Sequence, residues 1–169
     1  MDQAGLVRDT GGELGMGNEV MADSLRLPAL SPATVADRRE TNYPGDFKKI
    51  VAGRARRALG DALGLNQFGV NLVLLAPGAA SAQRHWHSKE DEFVVILSGE
   101  VVLISDSGEQ TLKAGDTAGF PGGAADGHHL VNTGSEDAQY LKVGSRIAGD
   151  VVSYPDIDLV YLGDDGIFT

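Results

Sequence analysis

The chain has only four histidines, and they fall in two tight pairs, His85/His87 and His128/His129. Neutral imidazole is the commonest protein ligand for a transition metal, so paired histidines are where chemistry is sought first. His85 and His87 lie within "AQRHWH". In an extended strand, side chains two positions apart share a face at a spacing of about 6–7 Å, and Trp86 points the other way. Five positions after His87, beyond the turn-like "SKED", Glu92 opens "EFVVILSG". The turn brings Glu92 back beside the histidines. With Glu92 facing inward, Val94 and Ile96 share its side, while Phe93, Val95 and Leu97 face an opposite layer. Both sets are apolar, as expected of a strand covered on two faces. Two imidazoles and a carboxylate form the facial set that suits Fe, Mn, Ni or Zn as a divalent ion. One further imidazole, from His128 or His129, would complete four ligands and leave positions for water or substrate. A single His-x-His pair reads equally well as surface or core polar residues. The added Glu92 and the second histidine pair favour a metal, and Glu90 and Asp91 are the competing carboxylates of the turn.

Other chemistries are excluded by composition. The chain has no cysteine, so disulfides, thiolate catalysis and Cys-based metal clusters are ruled out. Its formal net charge of −10 disfavours contact with nucleic-acid phosphates. The one basic cluster, Arg54, Arg56 and Arg57 in "AGRARRALG", is short and reads first as a solvated face. A phosphate contact from Arg54 or Arg56 is the lesser alternative, open only if the segment lines the mouth of the site. No apolar run is long enough for a membrane span, and no signal-peptide pattern opens the chain, so a cytoplasmic location is the default.

The 169 residues, 42% hydrophobic and 22% charged, suit one globular domain. Residues 1–20 differ from the rest, with five glycines and no apolar periodicity, and read as a flexible N-terminal extension. They are either an over-extended start, since Met21 opens a sensible chain, or a disordered arm. The single domain is expected over 21–169. Pro28, Pro32 and Pro44 make residues 28–46 extended. Residues 47–60 are ambiguous: their Ala, Leu, Arg and Lys favour helix, and Gly53 opposes it. From Gln67 onward, short β-rich runs alternate with Gly, Asp-Ser-Gly and Pro-Gly-Gly punctuation about every ten residues, the rhythm of an all-β sandwich or barrel.

These segments resemble the cupin superfamily. "HWHSKEDEFVVILSG" reads H-x-H-x4-E-x6-G, its first motif, and "GDTAGFPGGAADGHHLVN" is close to its second, with Gly115, Pro121, Gly123, His128 and Asn132 in place. The spacing to Asn132 selects His128 over His129. The resemblance covers about residues 65–145. With "NYPGDF", "LGDALGLNQFGVNLV" and "YPDIDL", the chain is similar to a group of single-domain bacterial cupins sometimes labelled sugar-phosphate isomerases. The resemblance implies a double-stranded β-helix, or jelly-roll barrel, preceded by an extended arm. It also implies one divalent transition metal on His85, His87, Glu92 and His128, frequent homodimers, and extended structure for 47–60.

Fold alone does not fix a reaction. Three readings follow for a small-molecule ligand. The metal acts as Lewis acid in isomerase, epimerase or lyase chemistry on an oxygenated molecule; or Fe(II) binds substrate and dioxygen as a dioxygenase; or the site binds without catalysis. The first is preferred. Gln83, in phase with His85 and His87, and Phe120 are candidates for the inner wall. Tyr140 is a lining phenol or a packed aromatic, and Asp126 a supporting carboxylate, a general base or a turn residue. Arg84 faces away from the metal by alternation.

Overall fold

The computed structural model describes residues 25–163 and 167–168. The extension expected over 1–20 lies outside the described residues. Two 3-10 stretches, Pro32–Thr34 and Gly45–Val51, precede the first strand. Twelve strands follow: β1 Arg54–Ala58, β2 Phe68–Leu75, β3 Trp86–His87, β4 Glu92–Ser98, β5 Glu100–Ser105, β6 Gly108–Lys113, β7 Thr117–Phe120, β8 His129–Val131, β9 Ala138–Ser145, β10 Val151–Tyr154, β11 Leu159–Leu162 and β12 Ile167–Phe168. One helical turn, α1 Leu59–Ala62, links β1 to β2. The ambiguous segment 47–60 therefore divides. Arg54–Ala58 is extended, as the resemblance implies, but Phe47–Val51 is 3-10, because Pro44 and Gly45 start a turn there, and Leu59 and Gly60 belong to α1.

The strands form an antiparallel five-stranded sheet ordered β1-β2-β9-β4-β7, a three-stranded sheet β6-β5-β8, and a four-stranded sheet β12-β11-β10-β3. Val73, Leu75, Val94, Ile96 and Ala138 of the first sheet share one core with Val101, Leu103, Leu112 and Leu130 of the second. These two sheets therefore pack face to face, as alternating apolar residues on two short-stranded layers require. Gly99 sits between β4 and β5 with φ +72°, and a Cβ there would lie 2.8 Å from the Asp137 carbonyl oxygen. The motif glycine is thus required by both its backbone conformation and its close approach to β9. Asn132, fully buried, donates through Nδ2 to the carbonyls of Leu75 and Glu136 and accepts from Gly134 N–H, pinning the turn after β8 to the end of β2.

Strand β4 corrects one expectation. Its inward residues Glu92, Val94 and Ile96 are buried, but Phe93 is 45% and Leu97 49% exposed. Val95 between them is half-buried, so this face is only partly covered among the described residues. The neighbours in register on it are Val143 and Leu141 of β9 and Val70 and Leu72 of β2, so the open face is apolar across three strands.

Candidate metal centre

His85 and His128 are joined by a backbone bridge. His85 N–H donates to the His128 carbonyl (3.1 Å), and His128 N–H to that of His85 (2.9 Å). Residues paired this way present side chains to one face, so the two histidine pairs meet even though they are far apart in sequence. Two residues on, His87 pairs with Val152 of β10. Glu92, first residue of β4, sits opposite Phe120 of β7 and Gly144 of β9.

Each inward imidazole is held from behind. His85 Nδ1 lies 2.8 Å from the Gln83 carbonyl and His128 Nδ1 3.1 Å from that of Asp126. A carbonyl can only accept, so both Nδ1 atoms carry a proton, which leaves Nε2 as the atom each ring can turn toward a metal. His87 Nδ1 is 2.6 Å from Asp150 Oδ2. Asp150, buried, also accepts from Lys89 N–H, Glu90 N–H and the Ser88 hydroxyl. Burial would raise its carboxyl pKa, but the bonds from His87 and the backbone bring it below the ordinary range. It is therefore ionised and fixes the His87 tautomer, a supporting carboxylate of the kind that orients metal-binding imidazoles.

The Nε2 atoms converge on Glu92. His87 Nε2 is 3.3 Å from Oε1, while His128 Nε2 and His85 Nε2 are 3.4 and 3.9 Å from Oε2. Ligand atoms of His85, His87 and Glu92 all lie within 4.8 Å of one another. Donors sharing one divalent ion at about 2.1 Å stand about 3–4 Å apart, so the donor set fits such an ion. His128 lies outside that three-residue set but reaches Glu92 through Nε2, and Phe120 stacks on its ring at 3.5 Å between centroids.

Electrostatics match the geometry. Burial pushes the His85 pKa down to about 3, so its imidazole is neutral at physiological pH. Burial would raise that of Glu92, but the Lys142 ammonium beside it and the His128 and His87 rings bring it well below the usual carboxylate range. For His87, burial acts downward and is outweighed by Glu92 and Asp150, which raise its pKa above the ordinary value.

The competing residues are engaged elsewhere. Glu90 accepts from Ile147 N–H through Oε1 and turns Oε2 toward His87 Nδ1 (3.9 Å), beside Asp150 rather than Glu92, and Asp91 accepts from Gly122 N–H. His129 gives its Nδ1–H to the Ala82 carbonyl. Arg84 faces away, as expected, and pairs with Asp106 and Asp156.

The donor cluster opens on a cavity of about 300 Å³ lined by Phe120 and Tyr140 and by Arg54, Arg56 and Lys142. Burial raises the pKa of Tyr140, so the phenol stays protonated. Two wall candidates are elsewhere. Gln83 does not line the cavity: its amide donates to the Phe47 carbonyl (2.8 Å), because residues 81–84 bend and the two-residue phase running back from His85 is lost. Asp126 is also outside the cavity. Its carboxylate accepts Asp106 N–H (2.8 Å), a turn role, and the residue borders a smaller recess of about 60 Å³. Sequence reading missed Asp150, which no local pattern marks. It also missed Lys142, which is in strand phase with Tyr140.

A family profile for the cupin domain matches residues 71–144. The chain is similar to a cupin-superfamily sugar phosphate isomerase of Silicibacter pomeroyi DSS-3, with 41% identity over 84% of this chain and 92% of that one and a TM-score of 0.81. It is also similar to a proposed sugar phosphate isomerase of Acidithiobacillus ferrooxidans ATCC 23270, with 34% identity, 70% and 76% coverage and a TM-score of 0.65. The polyketide cyclase RemF of Streptomyces resistomycificus, 19% identical over 69% of this chain and 78% of that one, shares the fold at a TM-score of 0.57. No curated protein matches the chain. Two relatives above 30% identity, each spanned over more than two thirds of its length, together with the profile match, place the chain in the cupin superfamily.

Proposed function

We propose that the protein is a metal-dependent isomerase of a small oxygenated molecule, with His85, His87, Glu92 and His128 holding one divalent transition metal. The observation that carries this reading is the convergence of three tautomer-fixed imidazoles and one ionised carboxylate at the wall of a ligand-sized cavity. A divalent ion bound there supplies Lewis acidity, polarising a substrate oxygen and stabilising the negative charge that develops on it. The chain's own groups do the rest. Glu92 and the neutral His85 present lone pairs without a competing proton, whereas His87 gives one up on binding. Asp150 holds His87 in place, Phe120 holds His128, and the protonated Tyr140 offers a hydrogen bond to a substrate oxygen. The 41% identical relative, a sugar phosphate isomerase, supports isomerase over oxygenase chemistry.

We also propose that two copies pair through the apolar face that carries Phe93 and Leu97, because an open face of this kind is protected by association.

The function is tested by incubating untagged, metal-loaded protein with a panel of aldose and ketose phosphates and following interconversion by NMR, with and without chelator. Chelator-sensitive interconversion without oxygen uptake is expected. Oxygen consumption coupled to substrate loss would contradict it.

A further inference from the structure

The cavity has a second wall, opposite in character to the histidine wall. Arg54 and Arg56 alternate on β1 and both line the cavity, as does Lys142 of β9. Glu92 is the one acid among the described residues lining it. One carboxylate thus faces three cationic side chains, even before a divalent ion is counted.

The pairing of the arginines is informative. The chain has 24 acidic and 14 basic residues, so partners are plentiful. Arg57, on the other face of the same strand, pairs with Asp37. Arg38, Arg84 and Arg146 each find an aspartate. Arg54 and Arg56 have no carboxylate within ion-pair distance among the described residues. Arg54 makes one hydrogen bond, to the Ser81 carbonyl, and Arg56 makes no side-chain bond there. Burial, with the charges of Arg54 and Arg38, lowers the Arg56 pKa, while Asp61 and Glu40 act against this without reaching ion-pair distance. Like charges crowd together here without their usual counter-ions, an arrangement that a bound anion relieves. The same two arginines, with Glu40, Tyr43, Tyr154 and Tyr161, border the mouth outside the cavity, so the site is reachable.

We infer that Arg54 and Arg56 form a phosphate-binding end of the cavity, which takes the phosphoryl group of the substrate while its oxygenated end meets the metal centre. The inference rests on the function proposed above and narrows its substrate to a phosphorylated molecule. Two guanidinium forks suit a dianion, whereas a carboxylate is satisfied by one.

The probe is inorganic phosphate, titrated into untagged, metal-loaded protein by phosphorus NMR at constant ionic strength, with acetate as comparison. Saturable phosphate binding stronger than acetate binding is expected. Arg54→Gln and Arg56→Gln should each weaken it about tenfold or more while leaving metal content unchanged. His85→Ala should lose metal and keep phosphate. If phosphate binding vanishes in His85→Ala but persists in the Arg54→Gln/Arg56→Gln double variant, phosphate sits on the metal and the inference is overturned, with the metal reading intact. If the wild type holds no metal yet binds phosphate through the arginines, the metal reading fails and the subsite stands. Acetate binding equal to phosphate overturns the choice of a phosphoryl group, and Arg56→Lys, which keeps charge and loses the fork, should retain only part of the affinity.

Discussion

At the histidine wall every imidazole is tied from behind, His85 and His128 to backbone carbonyls and His87 to an ionised aspartate. At the basic wall, Arg54 is tied to one carbonyl, and Arg56 has no side-chain tie among the described residues. The difference separates two tasks. A metal needs donors fixed in tautomer and direction before it arrives, whereas an anion can be gathered by long, hydrated side chains that close on it. The two walls should therefore respond differently to substitution.

The largest effect is expected at the histidine wall. His85→Ala or Glu92→Gln should abolish metal loading and turnover together, read by elemental analysis and the sugar-phosphate assay, while leaving the fold intact by circular dichroism. Asp150→Asn keeps the shape but gives up the ionised acceptor of His87 Nδ1–H. Metal affinity should fall about 10–100-fold, measured by competition with a chelating dye. A smaller effect comes from pH. His85 is neutral down to about pH 3, so it releases no proton on binding metal. The pKa of His87 is raised, so its imidazolium must lose a proton to bind. Metal affinity should therefore fall as pH drops through and below the raised His87 value, and level off above it. Titrations at several pH values check the sign; affinity that is flat with pH would remove His87 from the ligand set. Smallest at the site is Phe93→Ser on the open face of β4. It should shift the assembly toward monomer in light scattering and leave metal content unchanged.

The two walls also differ in how well they can be read from sequence. His85, His87 and Glu92 lie within one turn and two strands, so two-residue alternation brings them together without knowledge of the sheet. His128 follows once Asn132 is recognised as the residue that pins the next turn. The basic wall depends on the order β1-β2-β9-β4, a long-range pairing that nothing local encodes, so Arg54 and Arg56 read first as a solvated face. Two-residue alternation puts Gln83 in phase with His85, but residues 81–84 bend and the phase does not carry through. Asp150 reaches His87 only through the pairing of β10 with β3. The exposed face of β4 is not legible from sequence, because apolar residues on both sides of a strand look alike whether a second layer or a second molecule covers them.

Elemental analysis of the protein purified without a histidine tag bears on the metal centre without an intervening assay. Close to one divalent transition-metal ion per chain is expected in the wild type and none in Glu92→Gln; a folded wild type that neither carries nor takes up such an ion would rule out the proposed centre.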